Sequence, residues 1–239
     1  MHYMNRRFLA TLLLFIPLMA SAQVRLSIDE RSVQVAGGKR MTTERSLYLH
    51  PDGRLVSVQH SPQNIISITN SLGEMRNYNP ATNEVVTMNN KEMSSSREMI
   101  TMFASGSYTD MALSQYGFRQ SSIRKEEGVI IKTFTPASTA EIGKVELVFQ
   151  QQLPICMLYY NAKDECIRKV YFSRYEYGRI PMPMRVTDVE YTPKRDSIVT
   201  LNTYSNLMIG ESANSDMFDW QIPSDAKRTE LDLNKLFQK

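Results

Sequence analysis

The sequence of 239 residues carries 28 lysines and arginines against 25 aspartates and glutamates, and 42% of its residues are hydrophobic. The formal net charge of +3 is too small to give an electrostatic reason to expect nucleic acid or an acidic membrane as a partner.

The first 22 residues have the pattern of a cleavable export signal. Arg6 and Arg7 form a basic start, Phe8–Leu18 is an apolar run, and Ala20-Ser21-Ala22 matches a typical cleavage site. The apolar run is too short to cross a bilayer comfortably. We therefore expect residues 1–22 to be a signal peptide that is removed on export.

The rest of the chain, residues 23–239, is predicted to form a single domain in the periplasm. Its length suits one all-β domain, since such domains often run to about 200–250 residues. No cysteine stands at the new N-terminus, Gln23, so we expect no lipid anchor. No later run of 18 apolar residues occurs, which argues against a transmembrane helix. We expect a monomer.

Strand patterns dominate the first third of this domain. Three short strands are predicted over Gln23–Glu30, Ser32–Val35 and Ser46–Leu49. Four further runs alternate apolar and polar residues between closely spaced turns: Arg54–His60, Asn64–Thr69, Glu74–Tyr78 and Glu84–Met88. This pattern predicts an antiparallel meander with one face exposed to water.

A helical period replaces the alternation after residue 93. Ser94, Ser95 and Ser96 offer an N-cap, and apolar residues then recur at helical spacing until Gly106. A second short helical piece is predicted to end at Gly117.

Strands resume for the remainder of the domain. They are predicted over Phe118–Arg124, Val129–Phe134, Lys144–Gln150, Pro154–Tyr160, Cys166–Arg174, Met184–Tyr191 and Ser197–Met208. The order indicates a mainly β fold, in which a strongly curved antiparallel sheet forms an open half-barrel. Short helices would act as a lid over a hydrophobic cavity.

Two cysteines, Cys156 and Cys166, are predicted to lie in the two strands of one hairpin. An oxidising compartment allows a disulfide between them. In the expected register Tyr160 faces Cys166, and Cys156 lies near Val170. The sequence leaves both a disulfide and two free, buried thiols open.

Catalytic and metal-binding motifs are absent from the sequence. There is no HExxH, CxxC, GxSxG or glycine-rich phosphate loop. The two histidines outside the signal, His50 and His60, lie beside turns, where solvent exposure is the simpler interpretation. We therefore expect no enzyme activity, metal or cofactor.

The apolar residues point to a binding cavity instead. Inward positions of the curved sheet and the methionine-rich lid would line it, and a cavity without convergent polar groups suits aliphatic chains. The candidate ligand-binding residues are Val56, Val58, Ile66, Ile68, Met99, Ile100, Met102, Phe103, Val145, Leu147, Phe149, Val170 and Phe172. A filled core with no ligand is the alternative.

Several short motifs resemble the LolA/LolB family of periplasmic carriers and acceptors of outer-membrane lipoproteins. They are Gly53-Arg54-Leu55, Ser61-Pro62, the turn Tyr78-Asn79-Pro80, the helical stretch Ser94–Ser105 and the segment Phe218–Pro223. The similarity in order extends from about Ser46 to Lys227.

The resemblance implies an unclosed barrel that receives the acyl chains of lipoproteins beneath a helical lid. Its implied partners are acylated lipoprotein or other lipid cargo, an inner-membrane ABC-type release complex and an outer-membrane acceptor. The family's carriers hold the lid shut with an arginine before the proline of an early strand pair. Here Ser61 stands at that position, so this contact cannot be transferred.

A structural role competes with the carrier. An outer-membrane β-barrel would need lipid-facing apolar alternation on nearly every strand, and the helical segment fits that requirement poorly. An envelope scaffold with a filled core and no transported ligand is the third interpretation.

Overall fold

The computed structural model describes residues 24–138, 141–193 and 196–231, except for the side chain of residue 92. The predicted signal peptide, residues 1–22, lies outside the described residues. The strands are β1 (Leu26–Ala36), β2 (Lys39–Leu49), β3 (Leu55–Ser61), β4 (Ile65–Thr69), β5 (Glu74–Asn79), β6 (Glu84–Asn89), β7 (Phe118–Glu126), β8 (Val129–Pro136), β9 (Ile142–Gln150), β10 (Leu153–Asn161), β11 (Cys166–Glu176), β12 (Met182–Tyr191), β13 (Ser197–Ile209) and β14 (Lys227–Leu231). One α-helix, α1, spans Met99–Ala104. Within the described ranges, every helix is too short or too polar to span a membrane.

All fourteen strands belong to one curved sheet. Their order is β14-β6-β5-β4-β3-β2-β1-β13-β12-β11-β10-β9-β8-β7. Neighbours are antiparallel except β14, which pairs with β6 in parallel. Because β13 pairs with β1, the two halves of the chain form one continuous surface. The strands at the ends of this order, β14 and β7, do not pair with each other, so the sheet is an open half-barrel as predicted.

The first two strands are longer than predicted. β1 continues unbroken through Arg31, and β2 begins at Lys39 rather than at Ser46. Gly37 and Gly38 both have positive φ, 53° and 74°, which a two-residue hairpin turn of this kind requires. The first residues of β2 are mostly polar, so the hydrophobic pattern did not indicate this extension.

The sheet has two faces that differ in what covers them. We call the face contacted by α1 the lid face and the opposite one the outer face. On the lid face, one cluster of buried side chains joins the first strands to the second half of the sheet. Its members include Leu26, Ile28, Leu47, Leu49, Leu55, Phe134, Met157, Met182, Met184 and Val186.

The prediction that Val56, Val58, Ile66 and Ile68 face inward is wrong. Leu55 pairs with Leu49 and Thr69 on the lid face, whereas Val56 pairs with Ile68 on the outer face. Side chains alternate along a strand, so Val58 and Ile66 follow Val56 to the outer face. Leu55 and Val56 are both apolar, and alternation alone therefore could not fix which face is inward.

The C-terminal segment, Phe218–Ala226, covers the outer face of the meander. Tyr78 and Val85 are buried there against Ala226, and the Trp220 ring lies 5.6 Å from that of Tyr78. The guanidinium of Arg54 donates hydrogen bonds to the backbone carbonyls of Phe218 and Trp220. The meander of β3–β6 is confirmed, but the expected water-exposed face is covered.

The two cysteines are free. Tyr160 pairs with Cys166 as expected, and Cys156 pairs with Tyr171, one position from the predicted neighbour. Burial raises the pKa of the Cys156 thiol to about 11. Of the two possibilities that the sequence left open, the structure contains the free thiols.

Candidate functional site

The lid is the segment Lys91–Tyr116, between β6 and β7. It contains α1 and four 3₁₀ turns at Lys91–Met93, Ser95–Arg97, Ser107–Thr109 and Leu113–Tyr116. Ser94 caps the second of these turns, since its Oγ accepts a hydrogen bond from the amide of Ser96. α1 itself begins after an extended residue, Glu98, without a side-chain cap.

Side-chain hydrogen bonds fix the start of the lid to the turns of the meander. Ser95 Oγ donates to the Gly53 carbonyl at 2.6 Å, and Ser94 Oγ donates to the Ser71 carbonyl at 2.8 Å. Gly73 allows a close approach, because a Cβ there would lie 2.3 Å from the carbonyl oxygen of Asn90. The lid therefore leaves the sheet at a defined position.

Two apolar side chains of α1 dock on the lid face. Ile100 and Phe103 are each only 1% exposed and belong to the same cluster as the sheet residues below them. The Phe103 ring stacks on Tyr108 at 5.0 Å and lies 6.3 Å from Phe172 and 6.1 Å from Tyr175. The lid thus occupies the space where a ligand was predicted.

The structure brings together nine of the thirteen predicted binding residues. Ile100, Phe103, Val145, Leu147, Phe149, Val170 and Phe172 are buried in the cluster, and Met99 and Met102 pack half-buried against it. The other four lie on the outer face, as described above.

A buried ion pair links the lid to the sheet. Arg45 of β2 donates to both carboxylate oxygens of Glu30 at 2.9 and 3.1 Å, and to Glu98 at 3.3 and 3.1 Å. Burial disfavours the charge of Arg45, but the two carboxylates outweigh it and raise its pKa. Glu30 is 7% exposed, and Arg45 is the cation that pairs with this buried carboxylate.

The end of the lid face that carries the ion pair of Arg45 contains further polar side chains. Arg168 forms an ion pair with Asp188 at 2.5 Å and lies 5.3 Å from the Tyr159 ring. Burial raises the pKa of Tyr159 above its usual value. The Oδ1 atom of Asn202 is buried without a hydrogen-bond partner, which is uncommon for a polar atom in a protein interior. The lid face therefore has an apolar end and a polar end.

A groove runs along the seam between α1 and the rim of the sheet. It encloses only about 30 Å³, and it is lined by Val24, Leu49, His50, Pro51, Gly53, Thr101, Ala104 and Ser105. Whole-ligand pockets usually hold about 300–1,000 Å³. In this structure the groove is too small for an acyl chain, so the lid would have to move to admit one.

Sequence reasoning missed the charged contacts of the site. Glu30 and Arg45 lie in polar stretches of β1 and β2, and only the pairing of these strands places them opposite each other. Glu98 precedes the apolar helix, and its position in the sequence does not indicate a contact with Arg45. Within the described ranges, no three His, Cys, Asp or Glu side chains converge to hold a metal ion.

Comparisons with known proteins agree on the architecture. A DUF1329 family protein from Desulfovibrio piger is 18% identical, with a TM-score of 0.55 over 84% of this chain and 91% of its own. A LolA superfamily protein from Nitrosomonas europaea is 8% identical, with a TM-score of 0.52 over 77% and 86%. A domain assigned to outer-membrane lipoprotein sorting, from Vibrio parahaemolyticus, is 13% identical, with a TM-score of 0.55 over 82% and 89%.

Sequence comparison adds no closer relative. No protein-family profile matches the chain, and no curated protein matches it. The similarity therefore concerns the fold. With its curved open sheet and short helices over one face, the chain has a LolA-like fold.

Proposed function

We propose that this protein is a periplasmic carrier that shields the acyl chains of lipoproteins on its lid face during transfer to the outer membrane. The observation that carries the proposal is the docking of α1, which covers a large apolar cluster with Ile100 and Phe103. The LolA-like fold supports it. Residues 1–22 would direct the export of the chain.

Binding in this proposal exchanges lid side chains for acyl chain. Full burial of a side chain such as Ile100 or Phe103 stabilises by about 1.5–3 kcal/mol, so undocking both costs about 3–6 kcal/mol. Each buried methylene contributes about 0.8 kcal/mol. About four to eight methylenes offset the undocked lid, and a longer acyl chain provides a net gain.

The charged contact would act on the position of the lid. Arg45 stays with Glu30 on the sheet, while its bonds to Glu98 can break without leaving a carboxylate buried alone, since the Glu98 side chain is 32% exposed. Opening would therefore separate Glu98 from Arg45 and preserve the pair on the sheet. The proposed partners are an acylated lipoprotein, an ABC-type release complex and an outer-membrane acceptor.

An envelope scaffold without a ligand is the second candidate, because the docked lid already fills the space above the sheet. In that case Ile100 and Phe103 are permanent core residues. The two candidates differ in whether the lid face ever accepts a lipid.

Native mass spectrometry of protein purified from periplasm without detergent separates them. We expect a fraction of the protein to carry bound lipid or acylated peptide, and the unbound fraction to take up a fatty-acyl probe. Phe103→Asp should increase probe uptake, because the lid then competes less with the acyl chain, and Ile123→Asp, at an exposed position of β7, is the matched control. Unliganded protein that takes up no probe would support the scaffold.

A further inference from the structure

The outer face of the second half of the sheet carries a row of side chains across five strands. The register aligns Arg40 with Val35, Val35 with Val199, Val199 with Val189, and Val189 with Lys169. Strands lie about 4.8 Å apart, so the row is about 19 Å long. It places three valines between two cations.

A second row runs beside the first. It consists of Val33, Leu201, Thr187 and Tyr171, aligned by the same strand pairs. All of these side chains point away from the lid face, because they alternate with inward residues such as Val170 and Val186. We call the two rows together the outer stripe.

The outer stripe is partly open to solvent: Val35 and Tyr171 are exposed, and the other apolar members, Val33, Val189, Val199 and Leu201, are half-buried. Val35 and Tyr171 are each 42% exposed. The water-facing side of an antiparallel sheet usually carries polar residues instead. As far as Leu231, the C-terminal segment packs on the outer face of the meander and not on this half. Contiguous apolar surface that is bordered by charged residues is typical of interaction sites.

The charge around the outer stripe is positive. Arg40, Lys169 and Arg185 form no ion pair with a carboxylate of the described residues. The acidic residues of the neighbouring rows are neutralised, since Glu44 pairs with Arg31 at 3.3 Å and Glu146 with Arg124 at 3.0 Å. The small net charge of the whole chain conceals this local concentration.

We propose that the outer stripe docks the protein on an anionic lipid surface. Valine, leucine and tyrosine side chains enter the boundary between headgroups and acyl chains, where tyrosine is favoured because one end of its ring is polar. Lys169 and Arg40 then meet lipid phosphates at the two ends of the first row. The lid face points the other way, so this docking leaves the proposed carrier site free and does not depend on it.

Vesicle flotation with the exported protein tests the proposal. We expect binding to vesicles of phosphatidylglycerol and phosphatidylethanolamine, weaker binding at higher salt, and little binding to vesicles of phosphatidylcholine alone. Each cation near such a surface is worth about fivefold in partition, so Lys169→Gln should lower it about fivefold and the double variant with Arg40→Gln about 25-fold.

Matched variants separate the stripe from charge in general. Lys125→Gln removes the same charge from the edge strand β7 and should change partition less than about twofold. Val35→Ser should lower partition about tenfold with an unchanged melting temperature, since the side chain is already exposed. Absence of binding, equal binding to both vesicle types, or equal losses for Lys169→Gln and Lys125→Gln would overturn the proposal. The proposal would also be overturned if this protein bound no vesicle and instead bound another protein through the outer stripe.

Discussion

The lid and the C-terminal segment cover opposite faces of one sheet, and each buries a phenylalanine almost completely. Phe218 is 0% exposed and meets the Tyr48 ring at 5.6 Å, while Phe103 is 1% exposed and stacks on Tyr108. Their attachment differs. The C-terminal segment leads into β14, which pairs with β6 through backbone hydrogen bonds, and Arg54 holds two of its carbonyls.

Among the described residues, α1 has no such backbone pairing with the sheet, although the Ser95 amide before it donates to the Asn70 carbonyl at 3.0 Å. α1 is held by the burial of Ile100 and Phe103 and by the ion pair between Glu98 and Arg45. Side-chain contacts of this kind can be exchanged for contacts with a ligand, whereas a paired strand cannot leave without exposing its backbone groups. Undocking α1 therefore costs side-chain contacts, whereas undocking the C-terminal segment also breaks backbone hydrogen bonds.

The largest effect should come from removing the two buried rings. We expect Phe218→Ala to lower the free energy of unfolding by about 3–5 kcal/mol, as for other large-to-small changes in a core. Phe103→Ala should lower it by half of that or less, because the lid can undock while the sheet stays folded. Urea titration followed by circular dichroism measures both. Equal losses would show that the lid unfolds with the sheet.

A smaller effect is expected from Arg54. Arg54→Ala leaves the carbonyls of Phe218 and Trp220 without their donor and should lower stability by about 1–3 kcal/mol. Hydrogen exchange should rise over residues 218–231 and stay unchanged in the lid. Arg76→Ala, which removes an exposed pair with Glu74, should change stability by less than about 1 kcal/mol.

The ion pair of the lid should act locally. Glu98→Gln removes a half-exposed partner of Arg45, and we expect a loss of about 1 kcal/mol, or about fivefold faster hydrogen exchange over residues 100–105. Exchange over the C-terminal segment should not change. Glu127→Gln, in an exposed turn, is the control for lost charge, and equal acceleration in that variant would contradict a specific contact.

The smallest effect concerns Cys156, which neither covering touches. Its pKa of about 11 in the folded chain lies above the ordinary 9.0, because burial disfavours the thiolate. The folded state thus keeps a proton that the unfolded chain releases, so this contribution to stability is complete below pH 9 and is lost as pH rises towards 11. Urea titrations across this range should show a smaller decline for Cys156→Ala than for the unchanged protein. Identical declines would contradict the shift.

The sequence predicted the order of strands and helix better than it predicted which face of the sheet each side chain takes. Period-two alternation and the turn residues located the meander, and helical spacing located α1 at Met99–Ala104. In β3, however, Leu55 and Val56 are both apolar, and the face that each takes depends on the C-terminal segment far away in the sequence. Alternation describes a strand with one buried face, and here both faces are buried.

The charged part of the site could not be predicted for a related reason. Arg45 meets Glu30 through the pairing of β1 with β2, and meets Glu98 only because the lid crosses above them. Neither spacing nor composition encodes a contact between a strand and a lid 53 residues apart. Val145, Leu147 and Phe149 do lie in the buried cluster of the lid face, because the alternation along β9 is unambiguous.

Hydrogen exchange of the whole protein with and without a soluble long-chain fatty-acyl ligand tests the replaceable lid most directly. We predict that the ligand accelerates exchange over residues 100–105, since acyl chain takes the place of Ile100 and Phe103, and leaves residues 218–231 unchanged. Binding of the ligand with the lid equally or better protected, or equal changes in both segments, would contradict the central claim that the lid is exchanged for cargo.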